Sequence, residues 1–162
     1  IGNKYFIVEK ENKQAIISIK TQKSSGFIYD DIDGILSKNE NYGFRTKKGN
    51  LFGVVNQKGK VVLQNQYKEV TLSDDYKEHN YFYRVQDINE KYTLYNISHK
   101  KIFKGTYDLI QWTHNNYKGD VLLYNGKEKL KCSFYRGEID FESCQLLKLT
   151  KEEKKRAKTW VD

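Results

Sequence analysis

Apolar and polar positions along this chain come in short alternating runs separated by Gly, Asn, Lys and Asp clusters, a pattern of strands and turns rather than helices. The clearest stretch is Leu51 to Val70, LFGVVNQKGKVVLQNQYKEV. Val54 and Val55 end one apolar run, and Val61, Val62 and Leu63 begin the next. Between them, Asn56-Gln57-Lys58-Gly59-Lys60 is a polar loop in which Gly59 is free to take a positive φ. Gln64-Asn65-Gln66 interrupts the second run and Tyr67 restarts it. The stretch therefore predicts a hairpin followed by a short third strand.

The unit recurs. Small residues at Ala15, Gly53, Thr93 and Cys132 lie at intervals of 38 (53−15), 40 (93−53) and 39 (132−93). A tyrosine follows 14 positions later in three copies, as Tyr29, Tyr67 and Tyr107; in the fourth, a hairpin loop two residues shorter moves the equivalent position to Cys144. Two markers moving together predict a stacked or radial repeat. The expected fold is all-β, with about four tandem antiparallel repeats of three to four strands, as an open array or a small propeller-like ring. The repeats fall near residues 5–34, 42–72, 81–112 and 121–149, within a single domain spanning 1–162. Phe52, Tyr29, Tyr67 and Tyr107 are the expected core aromatics, with the small residues in crowded strand positions.

Phe52-Gly53, Lys58-Gly59-Lys60 and Tyr67-Lys68-Glu69-Val70 resemble the WG-repeat family, whose units carry a Trp-Gly pair, a hairpin with a Lys-Gly-Lys turn and a Tyr-Asp/Glu close. Tyr29-Asp30-Asp31-Ile32 and Tyr107-Asp108-Leu109-Ile110 resemble the closing segment. No copy has the Trp, one has the Gly, and the prolines usual before the closing Tyr are missing. The resemblance runs from about Tyr5 to Leu149. It implies an all-β repeat with a binding role, and carries no catalytic residues.

Beyond Leu149 the pattern changes. Thr150 and Glu153 have the spacing of a capping box, and basic residues follow, so a short helix is expected over about 151–160, covering the edge of the last repeat. The acidic cluster Asp30 to Gly34 lacks the further spaced ligands of a calcium loop and is read as a structural close. Ser73 to Asn80 reads as a surface connector.

Composition changes the picture in three ways. The net charge of +8 over 162 residues is spread along the chain, which favours an acidic protein partner and keeps nucleic acid or another polyanion open. No apolar run reaches the ~18–20 residues of a membrane-spanning helix. The first residue is Ile1, compatible with a removed signal or lipoprotein leader and equally with a trimmed start, so exported, periplasmic and cytoplasmic locations all stay open. The two cysteines share one hairpin. With Arg136-Gly137 as its two-residue turn, Cys132 faces Phe141 and Cys144 faces Lys129, which predicts two reduced, buried thiols rather than a disulfide.

The chemistry-bearing residues do not assemble into a catalytic set. His79, His99 and His114 lie in predicted loops without metal spacing, and no phosphate loop or nucleophile elbow occurs. Asp140 and Glu142 alternate with Ile139 and Phe141 as the wet side of a strand. Basic and aromatic residues interleave from Tyr117 to Arg136, but alternation assigns the apolar ones to the core. The reading is a non-enzymatic protein-interaction module of bacterial type, as in an immunity protein that neutralises an effector or in a cell-surface protein, with no cofactor and no metal. The alternative is a nucleic-acid or polyanion binder, and a third is an enzyme whose site is not recognisable. Candidate binding residues are Trp112, His114, Asn116, Tyr117, Lys58, Lys60 and Tyr76. Trp112 leads, because Trp is enriched at interface hot spots.

Overall fold

The computed structural model describes residues 5–35, 43–56, 59–72, 82–96, 101–102, 105–113, 118–126, 128–135 and 138–157. The chain is all-β with one short C-terminal helix, and divides into two compact units, residues 1–72 and 73–162.

The first unit opens with the hairpin β1 (Tyr5–Lys10) and β2 (Lys13–Ser18), turning at Glu11 and Asn12. It continues with β3 (Asp31–Ile35), β4 (Phe44–Lys48), β5 (Leu51–Val55) and β6 (Val61–Tyr67), hydrogen-bonded in that order, and ends with β7 (Glu69–Leu72). Its core joins Ile16, Tyr29, Ile32, Phe44 and Val55, with Tyr5 packed on it. In the second unit, β8 (Phe82–Gln86) pairs with β9 (Tyr92–Asn96), and β9 with β10 (Lys101–Ile102). A separate sheet runs β11 (Leu109–Trp112), β12 (Lys118–Asn125), β13 (Glu128–Tyr135), β14 (Glu138–Leu147) in order. Phe82, Leu94, Ile110, Val121, Leu123, Cys132, Phe134 and Ile139 form its core.

The repeat is visible in the pairing. Ala15, Gly53, Thr93 and Cys132 all lie on the second strand of a hairpin, opposite Val8, Thr46, Val85 and Val121. The residue before each marker pairs with the closing segment: Gln14 with Tyr29, Phe52 with Tyr67, Tyr92 with Tyr107 and Lys131 with Gln145. Beyond that pair the register jumps. Phe52↔Tyr67 gives way to Val54↔Leu63, so Gly53 alone faces Gln64-Asn65-Gln66; Lys131↔Gln145 gives way to Ser133↔Asp140, so Cys132 alone faces Phe141 to Cys144. A bulged strand crosses Ala15, Gly53 and Cys132. This explains the small residues: a Cβ on Gly53 would stand 2.6 Å from the Leu63 carbonyl oxygen and 2.8 Å from the Asn65 nitrogen.

Polar side chains bond backbone groups at the bulges beside Ala15, Gly53 and Cys132. Ser25 Oγ accepts from the Ile16 N–H at 2.9 Å, and Ser143 Oγ accepts from the Ser133 N–H at 2.8 Å. Asn65 Nδ2 donates to the Thr46 carbonyl at 2.9 Å, beside the buried Thr46 hydroxyl.

The bulge also overturns the expectation of reduced thiols. Cys132 and Cys144 are joined in a disulfide, with Cα atoms 4.1 Å apart. The turn register was as expected, with Tyr135 opposite Glu138, but the extra residues in β14 carry Cys144 back to face Cys132. The disulfide thus lies at the small-residue position, with Gln145, one residue after Cys144, in the place of the closing tyrosine.

Two other expectations change. Phe52 is half-buried beneath the Arg45 guanidinium (5.2 Å from ring centroid) and the Lys47 ammonium (5.8 Å) rather than in the core, because it pairs with Lys47 on the face that carries these two basic side chains. Helix α1 (Lys151–Ala157) has its capping box, with the Thr150 N–H donating to Glu153 Oε2 at 2.8 Å and the Glu153 N–H to Thr150 Oγ1 at 3.2 Å. It reaches back to β12 and β13 through Glu153.

Candidate protein-interaction surface

What binds one repeat to the next defines what each strand edge has left to offer. The closing segment of a copy becomes the first strand of the following sheet: β3 lies on β4, and β11 on β12. An aspartate clasps each of these junctions. The Asp30 N–H donates to the Lys47 carbonyl at 2.8 Å, while its carboxylate accepts from the Gly49 N–H at 2.6 Å and from Lys13 Nζ. In the same way the Asp108 N–H donates to the Tyr124 carbonyl at 2.7 Å, and its carboxylate takes the Gly126 N–H and Lys91 Nζ. Gly49 and Gly126 have φ of 58° and 57°, so the turn points its N–H back at the incoming strand. Lys13, through hydrogen bonding first and the Gly49 N–H second, holds the Asp30 carboxyl below the ordinary carboxylate range. The second copy has Lys68 and Leu51 at the equivalent positions, a pair that cannot form this clasp, and the chain divides into its two units after that copy.

The acidic cluster is accounted for by such contacts: Asp30 by the clasp and Asp33 by Arg45, whose Nε donates to it at 2.6 Å. Among the described residues no group of three or more His, Cys, Asp or Glu side chains is placed to hold a metal ion. No helix there is long and apolar enough to cross a membrane.

At the C-terminal end, Glu153 accepts from Lys129 Nζ at 2.9 Å and from the Tyr124 hydroxyl at 3.0 Å. The Lys129 hydrogen bond, then the Thr150 N–H, lower the Glu153 carboxyl to about 2. Burial, with Glu153 adding to it, pushes the Tyr124 hydroxyl up to about 12. Both values describe a structural lock with its protons fixed near neutral pH.

Of the candidate binding residues, two are described. Trp112 is half-buried in β11, stacked on Phe82 with ring centroids 5.5 Å apart and edge-on to Phe134 at 5.0 Å. Its ring therefore packs on the core of the second unit. Lys60 is exposed, and its N–H donates to Asn56 Oδ1 at 3.0 Å, closing the loop before β6. Lys58, Tyr76, His114, Asn116 and Tyr117 lie outside the described residues, as does the connector from Ser73 to Asn80.

The exposed apolar surface lies elsewhere. Phe6 is 59% exposed and Ile7 42%, both on β1, and Ile19, Phe27 and Ile28 of the same repeat are exposed too. Tyr5 to Val8 is an apolar run on both faces of the strand. That same feature, an apolar run without polar alternation, is the signal that one face needs a cover from outside the hairpin.

No family model and no curated protein sequence matches this chain. Two solved structures are similar to it. One is the crystal structure of the N-terminal domain of Nup159, at 11% identity and a TM-score of 0.42, over 91% of this chain and 42% of that one. The other is a chain in the S. cerevisiae structure of Dbp5 bound to Nup159, Gle1, IP6 and ADP, at 10% identity and a TM-score of 0.42, over 93% and 42%. The present chain spans less than half the length of either matched chain.

Proposed function

We propose that this chain is a non-enzymatic protein-interaction module built from four diverged WG-type repeats, of the kind used by a bacterial immunity protein that neutralises an effector or by a cell-surface component. The observation that supports it is the exposure of five Phe and Ile side chains in the first repeat, Phe6, Ile7, Ile19, Phe27 and Ile28; Val61, Ile88, Tyr135, Phe141 and Leu146 are exposed in the other repeats. Five exposed apolar groups in one repeat favour a protein partner, since each is worth up to ~1.5–3 kcal/mol once covered. The surrounding lysines, part of the +8 charge, favour an acidic rim on that partner.

The second reading, a polyanion binder, draws on the same charge. Salt separates the two. A partner identified by cross-linking and then purified should keep most of its affinity between 50 and 500 mM salt, roughly within tenfold, if apolar burial carries the complex. Phosphate contacts instead lose affinity with a log–log slope near −0.7 to −0.9 per contact. Binding to single-stranded DNA or heparin with that slope, and to no purified protein, would overturn the reading.

A further inference from the structure

We propose that the outer edge of β1 is a docking site for an extended strand of a partner protein, one carrying an aromatic-Asp-x-apolar segment like the repeat-closing strands of this chain. The inference rests on the protein-interaction reading above and names the surface and the peptide chemistry it takes.

Strands β4 and β12 are first strands of their hairpins, and in each the outer edge is covered by a closing strand, β3 or β11. Strand β1 is the first strand of the first hairpin, and among the described residues its only pairing is with β2. Its backbone is set in the same way. Lys10↔Lys13 closes a two-residue turn, as Lys48↔Leu51 and Asn125↔Glu128 do. Hydrogen-bonded and non-hydrogen-bonded pairs then alternate along the hairpin. Gln14 and Ile16 turn their backbone groups away from β1, bonding Tyr29 and Ser25. Their partners Glu9 and Ile7 therefore turn theirs outward on the other side. Glu9 corresponds to Lys47 and Tyr124, whose carbonyls receive the clasp N–H. Glu11 corresponds to Gly49 and Gly126, whose N–H groups bind the clasp carboxylate, and it takes the same left-handed conformation, φ 51° against 58° and 57°. A non-glycine residue adopts that conformation at a cost. The turn thus presents the Glu11 N–H as the other two turns present theirs. Phe6 and Ile7 supply exposed apolar area along the same strand. The occupant follows from the two filled edges: an Asp for the turn N–H, then residues that pair with Glu9 and Ile7 as Asp31 and Asp33 pair with Lys47 and Arg45. Main-chain bonds give such a complex its affinity, and the side chains at the turn and along the strand its choice of partner.

The test uses the full chain and a labelled synthetic peptide copied from residues 27–35, FIYDDIDGI, with fluorescence anisotropy and amide chemical-shift mapping. Saturable binding is expected, with the largest shifts at Ile7, Glu9 and Glu11. Replacing the peptide's first Asp by Lys should weaken binding at least tenfold. Ile7→Pro, which removes an outward N–H and no hairpin bond, should weaken it similarly. Absence of binding at millimolar peptide, shifts confined to other strands, or equal affinity for the Lys peptide overturns the proposal, and the shift map decides even if Ile7→Pro fails to fold. A purified protein partner that binds wild type and Ile7→Pro equally would overturn the β1 site and leave the interaction-module reading standing.

Discussion

Removing the carboxylate of Asp108 should cost far more stability than removing that of Asp30, although the two make the same contacts. The Asp108 side chain is 2% exposed and its Lys91 partner 35%, while Asp30 and Lys13 are 37% and 45% exposed. Asp108→Ala leaves the Gly126 N–H without its acceptor in a place water scarcely reaches, and strips Lys91 of its counter-charge. An unsatisfied buried donor costs ~1–3 kcal/mol, and a hydrogen bond to a charged group contributes ~1.5–3 kcal/mol. The Lys91 bond counts at the low end, since the ammonium regains water. The expected loss is about 2–4 kcal/mol, or a urea midpoint lower by about 1–2 M for a slope of ~2 kcal/mol per molar. Trp112, stacked on Phe82 in the same unit, provides the fluorescence signal. Asp30→Ala, followed by circular dichroism, should shift its midpoint much less, because solvent takes over its hydrogen bonds. A double-mutant cycle of Asp108→Ala with Lys91→Ala should show coupling of about 0.5–3 kcal/mol. An Asp108→Ala midpoint within 0.2 M of wild type, or equal losses for the two aspartates, would refute the idea that burial sets the strength of the clasp.

Three other outcomes are expected. Reducing the Cys132–Cys144 disulfide, 12 residues apart in sequence, should lower stability by about 3 kcal/mol by the loop-closure relation, and thiol titration of the unreduced, unfolded chain should find no free thiol. Gly53→Ala should destabilise by about 1–3 kcal/mol in urea melts, since its Cβ would press on the β6 backbone, whereas Gly49→Asn, where a Cβ meets nothing within 4 Å and the left-handed backbone suits Asn better than other side chains, should cost less. The Glu153 carboxyl is lowered to about 2 in the folded chain, so its contribution is complete above the unfolded value near 4.5 and is lost as pH falls toward 2; Glu153→Gln should remove that part of the acid destabilisation, and a variant with an unchanged pH profile between 5 and 2 would contradict the Lys129–Glu153 lock.

The sequence by itself determined whatever depends on near neighbours. Alternation marked the hairpin strands, Thr150 and Glu153 marked the helix start, and the spacing of Ala15, Gly53, Thr93 and Cys132 marked equivalent sites that the pairing then shares. Tertiary structure decided what depends on register and cover. The disulfide was hidden because counting back from the turn assumes an unbroken ladder, and the β14 bulge breaks it. The repeat spacing placed Cys132 with the other small residues, but the tyrosine position of the fourth copy is Gln145, which pairs with Lys131 as Tyr29 pairs with Gln14; Cys144 sits one residue before it. The clasps join residues 17 to 19 positions apart across two repeats, beyond the reach of local patterning. Whether an apolar strand is core or surface is likewise not a property of the strand. Tyr5 to Val8 and Val121 to Tyr124 read alike as sequences, yet Phe6 is exposed where Val121, its counterpart counted from the turn, is buried, and β11 pairs with β12 while β1 has no such strand among the described residues.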